Sequence, residues 1–190
     1  MSKKSVTINT RKLVFLSLFA AMLCIVSPFS LPIGVIPISL ATFAMYIAAS
    51  VLGASGTISV LVYVLIGAVG VPVFSGGLGG IDRLVGPTGG YIVGFIPCTL
   101  IAGLIIDRFE NRKIAYPIAM IAGTAVLYTL GTIWFIILMG KSGTPYTLGA
   151  ALMTCVVPFL IGDAIKIAAA STVGFVLRKT LCRHTAKIKN

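Results

Sequence analysis

The chain has 190 residues, of which 58% are hydrophobic and 10% are charged, and its formal net charge is +11. Soluble domains are about half apolar and about a quarter charged, so this composition excludes an ordinary soluble domain. Most of the basic residues cluster at the two ends and in one short loop. That distribution argues against a nucleic-acid-binding face, which needs them clustered on one folded surface.

Long stretches of the chain contain no charged residue. Among them are residues 13–81, 114–140 and 142–162. A helix needs about 20 mostly apolar residues to cross a hydrocarbon layer of about 30 Å. The sequence therefore predicts an all-α integral membrane protein with six transmembrane helices, folded as a single membrane domain over residues 1–190.

Prolines and glycines divide these stretches into segments, because proline cannot continue a helical hydrogen-bond ladder. The predicted helices cover residues 13–29, 39–53, 57–71, 87–106, 114–139 and 147–177, followed by a basic tail at 178–190. The first is interpreted as a retained helix, since no small-x-small cleavage site follows it. The sixth is too long for a simple crossing, and Pro158 predicts a kink within it.

Lysine and arginine counts predict the orientation of these helices. With both termini in the cytoplasm, the inner segments hold twelve basic residues and the outer loops hold two, Arg83 and Lys141. Short cytoplasmic loops are enriched in Lys and Arg, so the bias favours this orientation over its reverse. We therefore expect a multi-pass protein of the plasma membrane with cytoplasmic N- and C-termini.

Asp163 and Lys166 are the most informative pair, because both lie inside the last apolar segment. Their i, i+3 spacing puts them on one face of a helix. Each charge costs about 2.5–3.5 kcal/mol near the centre of a membrane helix. One interpretation is an ion pair that only locks helix packing. The other is a polar cluster that faces a cavity and binds a ligand.

The second candidate site is a glycine-rich loop at 74–91, where seven of 18 residues are glycine. The predicted topology places it on the outer side. Gly86, Gly89 and Gly90 are candidate ligand-binding residues, because glycine lets a ligand approach the backbone closely. The alternative is a flexible connector.

A third feature is the pair Ser17 and Ala21 in the first predicted helix. Small residues four apart let membrane helices pack closely, so the pair predicts a docking face for another membrane subunit. Chance spacing in an alanine-rich helix is the alternative.

Several other classes of site are not predicted. No C-x-x-C pair occurs, and the only histidine, His184, lies in the basic tail. We therefore predict no metal site, and without a nucleophile–base pair no catalytic residue. The run Gly140-Lys141-Ser142 is not a phosphate-binding loop, because Phe135 stands where that motif needs glycine. The chain is thus not expected to be an ATPase or another enzyme.

Two runs of the sequence resemble a known family. LVGPTGGYIVGF at 84–95 and PFLIGDAIK at 158–166 are similar to the signature of BioY proteins. These are the substrate-binding S components of biotin transporters of the energy-coupling-factor (ECF) type. One difference is Ala41, where family members often carry glutamine.

The resemblance implies biotin as the ligand and no cofactor. It also implies three partners, namely a transmembrane coupling protein and two cytoplasmic ATPases. Asp163 would accept from the N–H groups of the ureido ring, while Lys166 would donate to its carbonyl or pair with the carboxylate tail. Phe74 and Tyr91 would line the apolar part of the site, and the first loop, 30–38, would close over the ligand.

The alternative function is a stand-alone, proton-coupled secondary transporter of a small carboxylate solute. In that hypothesis Asp163 would relay the proton, as acidic residues inside membranes often do.

Overall fold

The computed structural model describes residues 10–31 and 36–187, with side chains up to Leu181. The described helices are α1 (Thr10–Val26), α2 (Ala41–Leu52), α3 (Gly56–Ala68), α4 (Ile81–Val85), α5 (Gly89–Arg108), α6 (Ala115–Lys141), α7 (Leu148–Cys155) and α8 (Val157–Lys187). Two short strands, β1 (Ser30–Leu31) and β2 (Ile38–Ser39), pair antiparallel. The prediction of an all-α protein is confirmed.

Four helical segments of the described chain are long and apolar enough to cross a membrane: Ala41–Ala68, Gly89–Arg108, Ala115–Lys141 and Val157–Leu181. A helix suits hydrocarbon because it satisfies its backbone N–H and C=O groups internally. The chain is a multi-pass membrane protein, as the sequence predicts.

The segment Ala41–Ala68 consists of α2 and α3, joined by a 3₁₀ turn at Gly53–Ser55. Gly53 has a φ of 61°, which disfavours residues with a side chain. Asp107 at the end of α5 accepts a hydrogen bond from the Ala54 backbone N–H at 2.8 Å, which anchors the turn there. The chain therefore reverses direction between α2 and α3.

The predicted sixth helix, 147–177, is two helices in the structure, α7 and α8, with a break at Val156. The expected kink at Pro158 is thus a full interruption two residues earlier. Pro158 has no N–H to donate to the preceding turn, so the ladder cannot continue through it. At the N-terminus of α7, the Thr147 side chain accepts from the Ala150 N–H at 3.3 Å, a normal helix cap.

The predicted tail at 178–190 also differs, because α8 remains helical to Lys187. The other predicted helices, 13–29, 39–53, 57–71, 87–106 and 114–139, match α1, α2, α3, α5 and α6 with ends that differ by up to three residues. The short helix α4 was not predicted, since five residues carry too little periodic pattern.

Close helix contacts at glycine hold the bundle together. A Cβ on Gly174 of α8 would lie 2.3 Å from the Cβ of Ser50 on α2. A Cβ on Gly103 of α5 would lie 2.4 Å from the backbone of Gly53. These positions accept no larger side chain without moving a helix, so they fix how α2, α5 and α8 pack.

The two ends of the bundle differ in chemistry. At one end, Arg178 of α8 donates to Asp107 at 2.7 Å and to Glu110 at 3.2 Å, and also to the Ser50 carbonyl. This group ties α8 to the end of α5 and to α2. At the opposite end, the β1–β2 pair and the glycine-rich loop surround a cavity.

Candidate functional site

A cavity of about 200 Å³ lies between α2, α3, α5, α6 and α8, at the end of the bundle that carries the glycine-rich loop. Its wall is mainly aromatic and aliphatic: Tyr63, Phe74, Tyr91, Phe95, Leu127 and Phe159. Cavities with apolar walls and a few convergent polar groups are typical of small-molecule sites. The sequence also predicts a site here, because Asp163 and Lys166 both line this cavity.

Asp163 is buried, with 5% of its surface exposed, and its carboxylate receives three hydrogen bonds. Lys166 Nζ donates to Oδ1 at 3.0 Å, and Thr42 Oγ1 donates to the same oxygen at 3.4 Å. The Tyr128 hydroxyl donates to Oδ2 at 2.6 Å. Among the described residues Oδ2 has this one partner, so it retains acceptor capacity toward the cavity.

Lys166 is held by the beginning of α2 as well as by Asp163. Its Nζ donates to the Ser39 carbonyl at 2.7 Å and to Thr42 Oγ1 at 3.0 Å. With the bond to Asp163, all three ammonium protons have an acceptor. The Ser39 hydroxyl in turn donates to the Ser27 carbonyl at 2.9 Å, which connects this group to the end of α1.

The ion pair therefore faces a cavity and is not turned toward lipid. Breaking a buried pair costs about 3–5 kcal/mol, because the remaining charge is left uncompensated. Thr42, Tyr128 and Ser39 compensate the pair, and the cavity leaves room beside it for a polar guest.

Tyr91 lines the cavity and is positioned by the break between α7 and α8. Its hydroxyl donates to the Cys155 carbonyl at 3.2 Å and lies 3.3 Å from Thr132 Oγ1. In a continuous helix that carbonyl would accept from the N–H of Phe159, which bonds instead to the Val156 carbonyl. The interruption thus frees an acceptor for Tyr91.

Phe74 lines the cavity on the loop side, where its ring meets Tyr63 edge-on at 5.6 Å. The backbones of Phe74 and Leu78 pair across a tight turn. Gly76 and Gly77 have φ values of 78° and 69° within that turn. These two glycines serve to build the turn that holds Phe74 in place.

None of Gly86, Gly89 and Gly90 is among the described residues that line the cavity, and their role in ligand binding stays a prediction. The Gly86 carbonyl accepts from Trp134 Nε1 at 3.0 Å. A Cβ on Gly89 or Gly90 would collide with the Leu84 carbonyl or the Trp134 side chain. These glycines allow close packing between α5 and its neighbours, and the packing positions Tyr91.

Ser17 and Ala21 are both exposed on the outer face of α1. Large apolar side chains accompany them there, including Val14 and Leu18, which are 60% and 58% exposed. Their role in docking stays a prediction. The expected closure of the loop 30–38 falls partly on residues 32–35, which lie outside the described residues. Ile36 and Pro37, at the end of that loop, line the cavity.

Several polar residues that line the cavity were not predicted from the sequence, among them Ser39, Thr42, Arg83 and Tyr128. Ser39, Thr42 and Tyr128 lie in apolar segments, where a lone polar side chain does not by itself indicate a binding site. Their convergence on Asp163 depends on how α2, α6 and α8 pack. Arg83 is exposed and lines the cavity from the glycine-rich loop, where the sequence indicates only an outer-loop charge.

Comparison with known proteins gives a consistent result. The sequence profile of the BioY family matches residues 1–183. The biotin transporter BioY of Thermotoga maritima is 35% identical over 170 residues, which is 89% of this chain and 96% of that protein. Biotin transporter BioY2 of Lactococcus lactis subsp. cremoris is 33% identical over 182 residues, covering 94% and 97% of the two chains.

A solved structure is also similar. The crystal structure at 2.1 Å of the S-component for biotin from an ECF-type ABC transporter superposes with a TM-score of 0.80. It is 27% identical in sequence, and the match covers 90% of this chain and 92% of that one. The fold is therefore that of an ECF S-component.

Proposed function

The chain belongs to the BioY family, and from that premise we propose that it is the substrate-capture subunit of a biotin importer. It binds biotin from the extracellular side and passes it to a complex in which separate subunits hydrolyse ATP. Its relatives are named as transporters, which supports transport rather than catalysis.

The observation that carries this proposal is the polar cluster around Asp163 in an otherwise apolar cavity. Biotin has a ureido ring with two N–H donors and one carbonyl acceptor, joined to an apolar thioether ring. The free acceptor capacity of Asp163 Oδ2 suits one ureido N–H, and the Tyr128 hydroxyl oxygen, whose proton is donated to Oδ2, can accept from the other. The aromatic wall suits the thioether ring.

The carboxylate tail of biotin points toward Arg83 in this proposal. Lys166 has three acceptors already, so pairing it with the tail would break one of its bonds. Arg83 lines the exposed part of the cavity, and its guanidinium has no hydrogen bond or ion pair with the described residues. A guanidinium binds a carboxylate through two parallel hydrogen bonds. This geometry favours the tail at the cavity mouth and the ureido ring inside.

The proposed topology has six membrane crossings with both termini in the cytoplasm. In this orientation the Arg178–Asp107–Glu110 group is cytoplasmic and the cavity opens outward. The excess of Lys and Arg in the segments assigned to the inside supports it. Extracellular capture then follows from the end of the bundle at which the cavity lies.

The proposed partners are a transmembrane coupling protein and two cytoplasmic ATPases. The exposed face of α1 around Ser17 and Ala21 is the proposed docking surface for the coupling protein. Small residues there permit a close helix contact without rearranging the cavity, since no described residue of α1 lines it.

Biotin titration of the purified chain tests this proposal. Asp163→Asn keeps the shape of the side chain but removes its charge, so we expect at least a tenfold loss of biotin affinity. Asp82→Asn is the matched control, because Asp82 is an exposed acid of α4 outside the cavity lining. The wild type and the control should bind alike. If Asp163→Asn bound biotin as tightly as the wild type does, the Asp163 carboxylate would not be part of the ligand site.

Liposome uptake separates this proposal from the secondary-transporter alternative. The chain alone, reconstituted without ATPase subunits, should show no biotin uptake driven by a pH gradient. Uptake that Asp163→Asn abolishes would favour the proton-coupled mechanism instead.

A further inference from the structure

The short helix α4 carries Arg83 to the cavity, and its position depends on contacts at its two ends. It has five residues, and none of them is buried. An isolated helix needs about 12 residues or more to be stable, so a helix this short must be held by its neighbours. The N–H of Gly80, which precedes α4, donates to the Gly67 carbonyl of α3 at 2.8 Å. This bond anchors the beginning of α4 to α3.

The end of α4 is anchored by Trp134 of α6, the single tryptophan of the chain. Its indole Nε1 donates to the carbonyl of Gly86, which follows α4, at 3.0 Å. The same carbonyl accepts from the Gly89 N–H at 2.9 Å, so the corner between α4 and α5 closes on one oxygen atom. A Cβ on Gly90 would lie 2.3 Å from the Trp134 Cβ, so α6 is in direct contact with the beginning of α5 at this corner.

The corner that Trp134 holds lies between two residues of the cavity wall. Arg83 precedes Gly86 by three residues and Thr88 follows it by two, and both line the cavity. Trp134 itself is not among the described lining residues, and 37% of its surface is exposed. Its effect on a ligand would therefore pass through the backbone that it holds.

We propose that Trp134 is a positioning residue for the biotin carboxylate, because its N–H holds the end of α4 so that Arg83 faces the mouth of the cavity. This inference rests on the proposed function, in which Arg83 binds the carboxylate tail. Without the indole bond, the ligand itself would have to order the end of α4, and that cost lowers its affinity. The alternative is an anchor at the membrane interface, a common role of tryptophan, which would not favour one ligand over another.

Calorimetric titration of the purified chain with biotin and with biotin methyl ester tests the proposal. Trp134→Phe keeps an aromatic ring beside Gly90 but lacks the indole N–H. We expect this variant to bind biotin about two- to tenfold more weakly, the range that corresponds to one neutral hydrogen bond. Its affinity for the methyl ester should not change, which also verifies that the variant is folded.

A double variant shows whether Trp134 acts through Arg83. Trp134→Phe with Arg83→Gln should bind biotin no more weakly than Arg83→Gln alone, since both changes remove the same contact. Thr129→Val is the matched control on α6, because the Thr129 hydroxyl donates to the Ala125 carbonyl of its own helix at 2.8 Å and is not part of the described cavity lining. The control should bind both ligands like the wild type.

The proposal is overturned if Trp134→Phe binds biotin as tightly as the wild type does, or if it loses equal affinity for both ligands. It is also overturned if the losses of Trp134→Phe and Arg83→Gln add in the double variant. In each of these cases the wild type would still bind biotin, so the proposed function would stand. A wild type that fails to bind biotin would overturn the proposed function and this inference together.

Discussion

Tyr128→Phe is the sharpest perturbation of the proposed site, because it removes one hydroxyl and leaves the ring that lines the cavity. That hydroxyl donates to Asp163 Oδ2 at 2.6 Å and so orients the carboxylate. Hydrogen bonds to charged groups contribute about 1.5–3 kcal/mol. If the orientation of Asp163 determines how the ureido ring binds, the affinity for biotin should fall by about tenfold to a hundredfold.

The assay is calorimetric titration with biotin and with an analogue methylated on its ureido nitrogens. The wild type should prefer biotin strongly, and Tyr128→Phe should lose most of that preference. A loss that depends on the ureido N–H distinguishes a role in ligand recognition from a general change in stability. Tyr146→Phe is the matched control, because the Tyr146 ring packs on Phe135 away from the cavity lining. Tyr128→Phe binding both ligands like the wild type would refute the reasoning.

Three further predictions concern other parts of the molecule. Arg83→Gln should lower the affinity for biotin several-fold but leave the binding of biotin methyl ester unchanged. The control Lys141→Gln should affect neither titration. If Arg83→Gln weakened both ligands equally, Arg83 would not be the partner of the biotin carboxylate. Gly103→Ala should destabilise the protein by about 1–3 kcal/mol, because its Cβ would enter the backbone of the α2–α3 turn. A Cβ on Gly140 would have no neighbour within 4 Å, so the control Gly140→Ala should not lower the thermal midpoint. If Gly103→Ala and Gly140→Ala unfolded at the same midpoint, the close contact at Gly103 would be refuted. Ala21→Phe should reduce co-purification with the coupling protein while biotin titration stays normal, and unchanged assembly would remove this face of α1 from docking.

The sequence predicted the helical architecture well because membrane helices need long charge-free stretches, which are visible without any knowledge of packing. It predicted α5 and α6 to within two residues at each end. It failed at the break between α7 and α8, where a proline indicates an interruption but not its exact position. The carbonyl that the break leaves free accepts a hydrogen bond from Tyr91, a residue distant in sequence.

The sequence likewise reveals some residues of the candidate site and not others. Asp163 and Lys166 were recognisable because charges in an apolar helix are rare, so each one is a signal by itself. Thr42 and Tyr128 give no such signal, because a single hydroxyl is common in membrane helices. They become part of the site only when α2 and α6 pack against α8. Glycine serves both close ligand approach and close helix packing, and sequence alone does not separate these roles at Gly90.

The pair Asp163 and Lys166 still permits two explanations, since a lock between α8 and the start of α2 would show the same hydrogen bonds as a ligand site. Removing both charges separates them. Asp163→Asn alone leaves a buried ammonium without its counter-charge, which should cost about 3–5 kcal/mol of stability. Adding Lys166→Met removes that ammonium, so the double variant should regain most of the thermal stability that the single variant loses.

Biotin binding should not return when stability is regained in the double variant, because the cavity would still lack the Asp163 carboxylate that accepts from the ureido N–H in the proposed binding mode. A stable double variant that fails to bind biotin would show that the charges serve the ligand rather than the fold. A double variant that binds biotin as tightly as the wild type would refute the capture mechanism proposed for Asp163 and Lys166. The two measurements, thermal unfolding and biotin titration on the same purified sample, therefore distinguish the two explanations.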